Sequence, residues 1–452
     1  MDYNFLELAD KYYDDAILDL KELIRCKSVL DVYKPTSIHP FGEGCAKALD
    51  TMLSFAKRDG FLFLNDDYYA GEIKYGEGED FAILGHLDVV PAEGAWDTDP
   101  FEPTIKDNRL YGRGSTDDKG PVIAAYYAIK MLRDLGVKFN KCVKLIVGCD
   151  EETESRCLQH YFKKHNKPSI GFSPDADFPL IYGEKAFANF SILGSVDPHS
   201  IIKTWKSGSR VNIVPDTCEV TLKGDYQKEF YEFLKNNNYN GEVKDNTYYT
   251  YGKAAHGSTP ELGLNANFIM AEFVNSIYND NFTRFILDCL SFDPYGEKME
   301  INVENGDMGK LSLNPGIFEV LNNECLIQCD CRTPKDSQYK VIDVYVKDCA
   351  QKHKLIYKAD HRKEIHYVDP NSYLVQSLYK AYKEISGDNV NKPMTIGGGT
   401  YAKFIDNCVA FGPTLPGEDN LIHSPNEYID LNNFKKDIAI YAYAIYELVK
   451  WD

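Results

Sequence analysis

An apolar run that ends in a histidine and a carboxylate places the strongest constraint on this chain. Phe81-Ala82-Ile83-Leu84 is wholly apolar, Gly85 follows, and the sequence then reads His86-Leu87-Asp88. A run of this length fits a buried strand. Residues i and i+2 of an extended chain project to one face, so His86 and Asp88 share a face at the strand's carboxyl end. The segment Cys142–Gly148, "CVKLIVG", repeats the arrangement and opens onto "CDEETE", Cys149–Glu154. Ser169–Ser173, "SIGFS", is a third short run, followed by Asp175 and Asp177. Between the first two lies Pro121–Leu135, read as a helix with proline in its first turn and Gly136 just past its end. Strand, helix, strand, strand in this order predicts an α/β layer with a largely parallel sheet. Ligands bind such sheets at the carboxyl ends of the strands.

The rest of the chain divides by pattern. Residues 4 to 26 carry Leu6, Ala9, Ile17, Leu20, Leu23 and Ile24 at mostly helical spacing. From about Lys185 to Asp369 the apolar residues alternate, as in "ANFSILGSV", "CEVTLKGDY", "MEINVEN" and "CLIQCDCR", with helical stretches at about 226–237, 265–290 and 337–353. Alternation marks strands with one solvated face, hence an antiparallel α+β domain. From about Pro370 the α/β character returns, with a helix at Tyr373–Ile385, a strand at Cys408–Phe411 and a last helix at 431–449. The expected organisation is an α/β catalytic domain formed by 1–184 and 370–452, interrupted by an inserted α+β domain at 185–369.

Composition narrows the function. The 452 residues suffice for two or three domains, and a 44% hydrophobic content supports a sizeable core. The formal charge of −19 opposes binding to nucleic acid or an anionic membrane. The start, "MDYNFLELADKYYDD", lacks the basic and apolar regions of a signal peptide, and no apolar stretch approaches a bilayer span. A cytoplasmic protein is expected. The twelve cysteines are scattered without a CxxC pair, which points to reduced thiols used as small hydrophobes.

Several places put metal-ligand residue types at strand ends or turns. A neutral imidazole such as His86 binds metal through one nitrogen while the other donates to an orienting group. In "GRGSTDDKGP", Asp117 and Asp118 precede a helix start, where one carboxylate suffices as a cap and the other is left for a ligand. Glu151 and Glu152 crowd the end of a buried strand, where adjacent carboxylates repel unless a cation neutralises them or one stays protonated. Asp175 lies just past another strand, and "HSPNEY" offers His423 in a turn. Each has a plain structural alternative: a strand-end pair, a helix cap, a solvated acidic loop, a surface histidine. Together they suit a site for two divalent ions, zinc first, with manganese or cobalt also compatible with oxygen and imidazole donors.

"GHLDVVPAEGAWDTDPF", "LYGRGSTDDKGP", "DEET", "SPDADFP" and "HSPNE" closely resemble the bacterial PepV-type dipeptidases. These belong to the zinc metallopeptidase family that also contains carnosinases, aminoacylases and succinyl-diaminopimelate desuccinylases. The resemblance runs over nearly the whole chain. It implies a zinc-peptidase-type α/β catalytic domain with an inserted lid. It makes His86 and Asp175 ligands of one metal, Glu152 and His423 ligands of the other, and Asp117 the bridge between them. Asp88 orients His86, Asp118 is the helix-start residue beside the bridge, and Glu151 is the general base. In the lid, "GSRVNIVPD" supplies Asn212 as a substrate contact, and "GKAAHGSTPELGLNA" supplies His256 to stabilise the carbonyl oxygen. "CDCRTP" supplies Arg332 to clamp the substrate carboxylate, and "TIGGGTYA", with Gly398 and Gly399, lines the same end. Blander readings of these are a surface histidine, a strand-edge arginine and an ordinary glycine turn.

The implied activity is metal-assisted hydrolysis of dipeptides with free amino and carboxyl termini by a monomer whose long lid covers its own site. An N-acyl amino acid deacylase with the same metal centre is the alternative; the long lid and "TIGGGTYA" favour the dipeptidase. A non-catalytic peptide-binding relative is disfavoured because base and ligands are all present. A metal-dependent phosphoesterase lacks an obvious phosphate cradle. Cys149 and Cys157 flank the acidic tract, either as buried spectators or as points of sensitivity to oxidation and soft metals.

Overall fold

A computed structural model describes residues 3–450. The chain divides into two compact units, each with its own apolar core. The first comprises 1–184, 366–395 and 399–452, and the second 185–365 and 396–398. The return to the first unit therefore falls at His366, four residues before the expected Pro370, and the short segment 396–398 groups with the insert.

In the first unit, α1 (Phe5–Ile24) and α2 (Glu43–Arg58) precede β1 (Leu62–Asp66), β2 (Ala70–Tyr75) and β3 (Glu79–His86). Then come α3 (Lys119–Asp134), β4 (Lys141–Gly148), α4 (Arg156–Lys164), β5 (Ile170–Ser173) and β6 (Ile181–Glu184). The sheet runs β1-β2-β4-β3-β5 and continues through two strands from beyond the insert, Cys408–Ala410 beside β5 and His366–Tyr367 beside β6. Only its centre is parallel: β3 pairs with β4 and β5, and β5 with Cys408–Ala410. The β1, β2 and β6 pairings are antiparallel. The expectation of a largely parallel sheet thus holds at the core and fails at the edges. There a short turn joins β1 to β2 directly, and only crossover connections yield parallel neighbours.

The parallel centre explains the apolar runs. Phe81, Ala82, Ile83 and Leu84 are all fully buried. α3 packs on β3 and against α1 and the last helix, Leu431–Val449, while α2 and α4 pack on the β1–β2 side. A strand covered on both faces reads as continuous rather than alternating. α3 begins two residues before Pro121, and Gly136 just beyond its end takes φ +74°. α2 and the β1–β2 hairpin are absent from the sequence expectations.

In the second unit β7 (Ala186–Ser195), β8 (Ile202–Ser207), β9 (Thr217–Leu222), β10 (Asn240–Lys244), β11 (Thr247–Tyr251), β12 (Ser312–Leu321), β13 (Glu324–Thr333) and β14 (Ile356–Lys363) form one sheet. Its order is β10-β11-β9-β8-β12-β13-β7-β14, and every pairing is antiparallel. Helices α5 (Gln227–Asn237), α6 (Ala266–Ile277) and α7 (Tyr339–Lys352) accompany it. The single helix expected over 265–290 is interrupted. α6 ends at an extended Tyr278, and the Asp280 side chain accepts from Phe282 N, capping a new turn at Asn281. "MEINVEN" yields only a two-residue strand, Glu304–Asn305. Among the described residues no helix is long and apolar enough to cross a membrane.

Candidate metal centre

The carboxyl ends of β3, β4 and β5, with two loops, bring the candidate ligands of the first unit together. His86 is the last residue of β3 and is fully buried. Its Nδ1 lies 2.9 Å from the main-chain carbonyl of Asp88 and 3.5 Å from that residue's Oδ1. With Nδ1–H donated to the carbonyl, Nε2 faces Asp117 Oδ1 at 2.9 Å and Asp175 Oδ2 at 3.8 Å, where it donates when the ring is charged and offers a lone pair to a cation when it is neutral. The other oxygen of Asp117, Oδ2, lies 3.0 Å from His423 Nε2, which is also 3.0 Å from Glu152 Oε2. One buried carboxylate therefore faces an imidazole with each of its oxygens. Donor atoms of His86, Asp117 and Glu152 lie within 4.8 Å of one another, as do those of His86, Glu151 and Asp175.

The imidazole is held by two groups of Asp88, the carbonyl at 2.9 Å and the carboxylate at 3.5 Å, and the carboxylate also accepts from Glu151 N at 3.2 Å and Glu152 N at 3.1 Å. Asp88 thus ties the end of β3 to the acidic loop after β4. Asp118 stands at the start of α3 but makes no side-chain cap; its Oδ2 accepts from His86 N at 3.0 Å. Gly85 permits that approach, since a Cβ there would lie 2.8 Å from Asp118 Oδ2 and 2.4 Å from Val122 Cγ2.

Glu427 is the functional residue the sequence reading missed. It is fully buried, accepts from the main-chain N–H groups of Gly114, Thr116 and Asp117, and pairs with Arg113 Nη1 at 2.6 Å. It therefore holds the loop that presents Asp117. The available signal was a charged residue inside "HSPNEY", four positions after His423.

The second unit gathers another set. His256 is exposed, and its Nδ1 lies 3.2 Å from the Ser258 N–H and 2.7 Å from Ser258 Oγ. Accepting from that N–H leaves Nδ1 unprotonated, so the ring proton sits on Nε2 as an outward donor. Desolvation by its surroundings, then the Arg332 charge, hold His256 below the ordinary imidazole value. The Asn212 carbonyl accepts from Gly257 N at 2.7 Å, joining its loop to that of His256. Arg332 gives Nε and Nη2 to Asp330 Oδ2, at 3.0 and 2.9 Å, and Nη1 to the Gly397 carbonyl at 2.9 Å. Of its five donors, one on each terminal nitrogen is left, the fork that receives a carboxylate. The residue of this turn whose carbonyl meets Arg332 is Gly397. A Cβ on Gly397 would lie 2.7 Å from Ser258 Cβ, whereas one on Gly398 would meet nothing closer than 3.6 Å.

Residues 82–447 match the family described as peptidase family M20/M25/M40. The chain belongs to that family. It is 38% identical over 464 residues to a Staphylococcus aureus (strain USA300) protein and 35% identical over 457 residues to one from Bacillus subtilis (strain 168), both named "putative dipeptidase". The alignments cover 98% of both chains in the first case, and 97% of this chain and 98% of the relative in the second. Among solved structures, human carnosine dipeptidase 1 shares the fold at a TM-score of 0.57, with 15% identity and 98% of each chain covered.

The donors of this M20 chain fit divalent metal. Burial, then repulsion from Asp117, raises Glu152 to about 7 and Asp175 well above the usual carboxylate range; burial raises Glu151. Burial alone would lower His86, but hydrogen bonds to Asp117 and Asp88 carry it well above an ordinary imidazole, and the same partnership with Asp117 and Glu152 raises His423 to about 10. Three carboxylates pushed toward neutrality beside two imidazoles pushed toward charge are what a bound cation relieves. Raised folded-state values mean that the metal-free folded chain binds more protons than the unfolded chain. Its stability then falls as pH rises, first through the carboxylate range from about 4 to 7, then through the histidine range from about 6.5 to 10. Asp117, held below the carboxylate range by hydrogen bonds to His423 and His86 that outweigh burial, opposes this only in acid. Chelator-treated protein should melt at progressively lower temperature between pH 5 and pH 9, and metal-loaded protein should not. Parallel thermal melts with and without chelator check this.

Cys149 and Cys157 are both fully buried. Burial raises the Cys149 thiol well above its ordinary value and Cys157 to about 12. Cys157 Sγ lies 2.8 Å from Tyr401 Oη. Thiols held protonated and out of solvent are spectators.

Proposed function

We propose that this peptidase hydrolyses dipeptides carrying free amino and carboxyl termini, with two divalent metal ions, zinc first. The observation that carries the reading is the Asp117 carboxylate, with His86 on one oxygen and His423 on the other. In this reading His86, Asp117 and Asp175 hold one ion, and Asp117, Glu152 and His423 the other. Bound ions would supply acidification of water and polarisation of the peptide carbonyl.

The remaining chemistry belongs to the chain. Glu151 takes the proton from the attacking water and passes it to the leaving amine; its raised pKa suits both acts. His256 offers Nε2–H to the carbonyl oxygen as negative charge develops there. The two remaining donors of Arg332 clamp the substrate carboxylate, which restricts substrates to short peptides with a free C-terminus. Asn212 and the turn at 397–399 complete that end, and the second unit acts as a lid. The names of the sequence relatives support dipeptides as substrates. We place the enzyme in the cytoplasm as a monomer.

A panel of dipeptides and matched N-acyl amino acids, assayed with added zinc, manganese or cobalt, tests this reading. Dipeptides should be cleaved and N-acyl amino acids spared; the opposite profile would establish the deacylase. Arg332→Lys is expected to raise KM for dipeptides about 10–100-fold, the loss of a charge-assisted hydrogen bond, with a smaller change in kcat. Steady-state kinetics on one dipeptide checks it.

A further inference from the structure

One corner of the first unit holds a second set of metal-binding side chains that shares no residue with the centre above. Asp66 ends β1 and Asp67 opens the turn to β2, while His160 lies on α4 and His165 immediately follows it. His160 Nε2 lies 3.4 Å from Asp67 Oδ2 and 3.9 Å from Asp66 Oδ2. His165 Nε2 lies 3.5 Å from Asp66 Oδ1. Asp66 is only 7% exposed, yet its Oδ2 has no hydrogen-bond partner, and neither has either of the two Nε2 atoms, all three being buried. Buried polar atoms are rarely left in this state.

The separations explain the omission. They are long for hydrogen bonds. Two donors bound tetrahedrally to one zinc at about 2.1 Å stand about 3.4 Å apart. The rings are already set, His160 stacked on Tyr69 with centroids 3.9 Å apart and planes at 8°, and His165 on Tyr161 at 4.3 Å and 26°. The Lys164 ammonium now neutralises the pair of aspartates, contacting Asp66 Oδ1 at 3.2 Å and Asp67 as well. Its side chain is 41% exposed, so it can yield to a stronger cation by turning into solvent.

We propose that Asp66, Asp67 and His160, whose donor atoms lie within 4.8 Å of one another, form a further divalent-cation site suited to zinc, with the His165 imidazole at its edge. The cation would fasten α4 to the β1–β2 turn. Asp66 pairs with Ala70, Ala70 with Gly148 and Gly148 with His86, so the site shares a row of the sheet with the metal centre. α4 also follows directly on the loop bearing Glu151 and Glu152. The bound cation would therefore fasten the helix that follows that loop.

Equilibrium dialysis against buffered micromolar free zinc, followed by counting zinc per folded chain, tests the site. His160→Gln should bind one zinc fewer than wild type, with an unchanged circular dichroism spectrum. Asp67→Asn, altering a side chain 68% exposed, gives the same reading should His160→Gln misfold. Lys164→Ala removes the competing ammonium, so it should keep that zinc and fill it at a free zinc concentration about tenfold lower. Equal zinc in wild type and in the folded ligand variants overturns the proposal, as does loss of zinc in Lys164→Ala.

Discussion

Glu151→Gln is expected to lower kcat for dipeptide hydrolysis by about 10²–10⁴-fold while leaving the metal content per chain unchanged. Glutamine keeps the shape and the backbone anchor to Asp88 but can neither take a proton from water nor return it to the leaving amine. The joint readout matters because the Glu151 carboxylate lies within 4.8 Å of donors on His86 and Asp175. As a ligand it would, on removal, weaken metal binding; as a base it would not. Loss of activity with full metal content assigns the proton transfer to Glu151. Loss of both assigns it to the coordination sphere.

Glu427→Ala is expected to be the most damaging single change to the centre. The residue is a fully buried carboxylate whose partners are the Arg113 guanidinium and three main-chain N–H groups, one of them that of Asp117. Removing one member of a buried ion pair leaves the other charge uncompensated, at about 3–5 kcal/mol. Arg113 is itself 1% exposed, so water cannot replace the lost partner. Stability measured by denaturant unfolding should fall by that amount, and metal content should fall with it, because the loop presenting Asp117 loses its anchor. Glu427→Gln should cost less, since its amide oxygen still accepts from the loop.

The sequence was most legible where burial dictated composition. The apolar run of β3, and that of β4 broken only by Lys144, announced a covered parallel core, and the ends of those strands announced where charged groups would gather. The final helix, expected at 431–449, spans Leu431–Val449. Edge structure was harder to read. β1, with Leu62, Phe63 and Leu64 exposed, lacks the alternation that marks a half-buried strand, and the β1–β2 hairpin passed unseen. Connections between distant segments were also hidden. Glu427 reaches a loop more than 300 positions away, and nothing local distinguishes it from a solvated glutamate. Asp88 illustrates the same limit: its position was evident, but the share of its carbonyl beside its carboxylate in holding the imidazole depends on the path of the backbone.

The Glu427 clamp also ties the completion of the centre to the end of the chain. His86 and Asp117 come early in the chain, His423 and Glu427 come late, and the whole second unit is encoded between them. During synthesis the loop of Asp117 emerges long before the carboxylate that fixes it. A nascent or prematurely ended chain therefore carries half a centre that cannot close. The centre is complete only when the last segment has docked on the first.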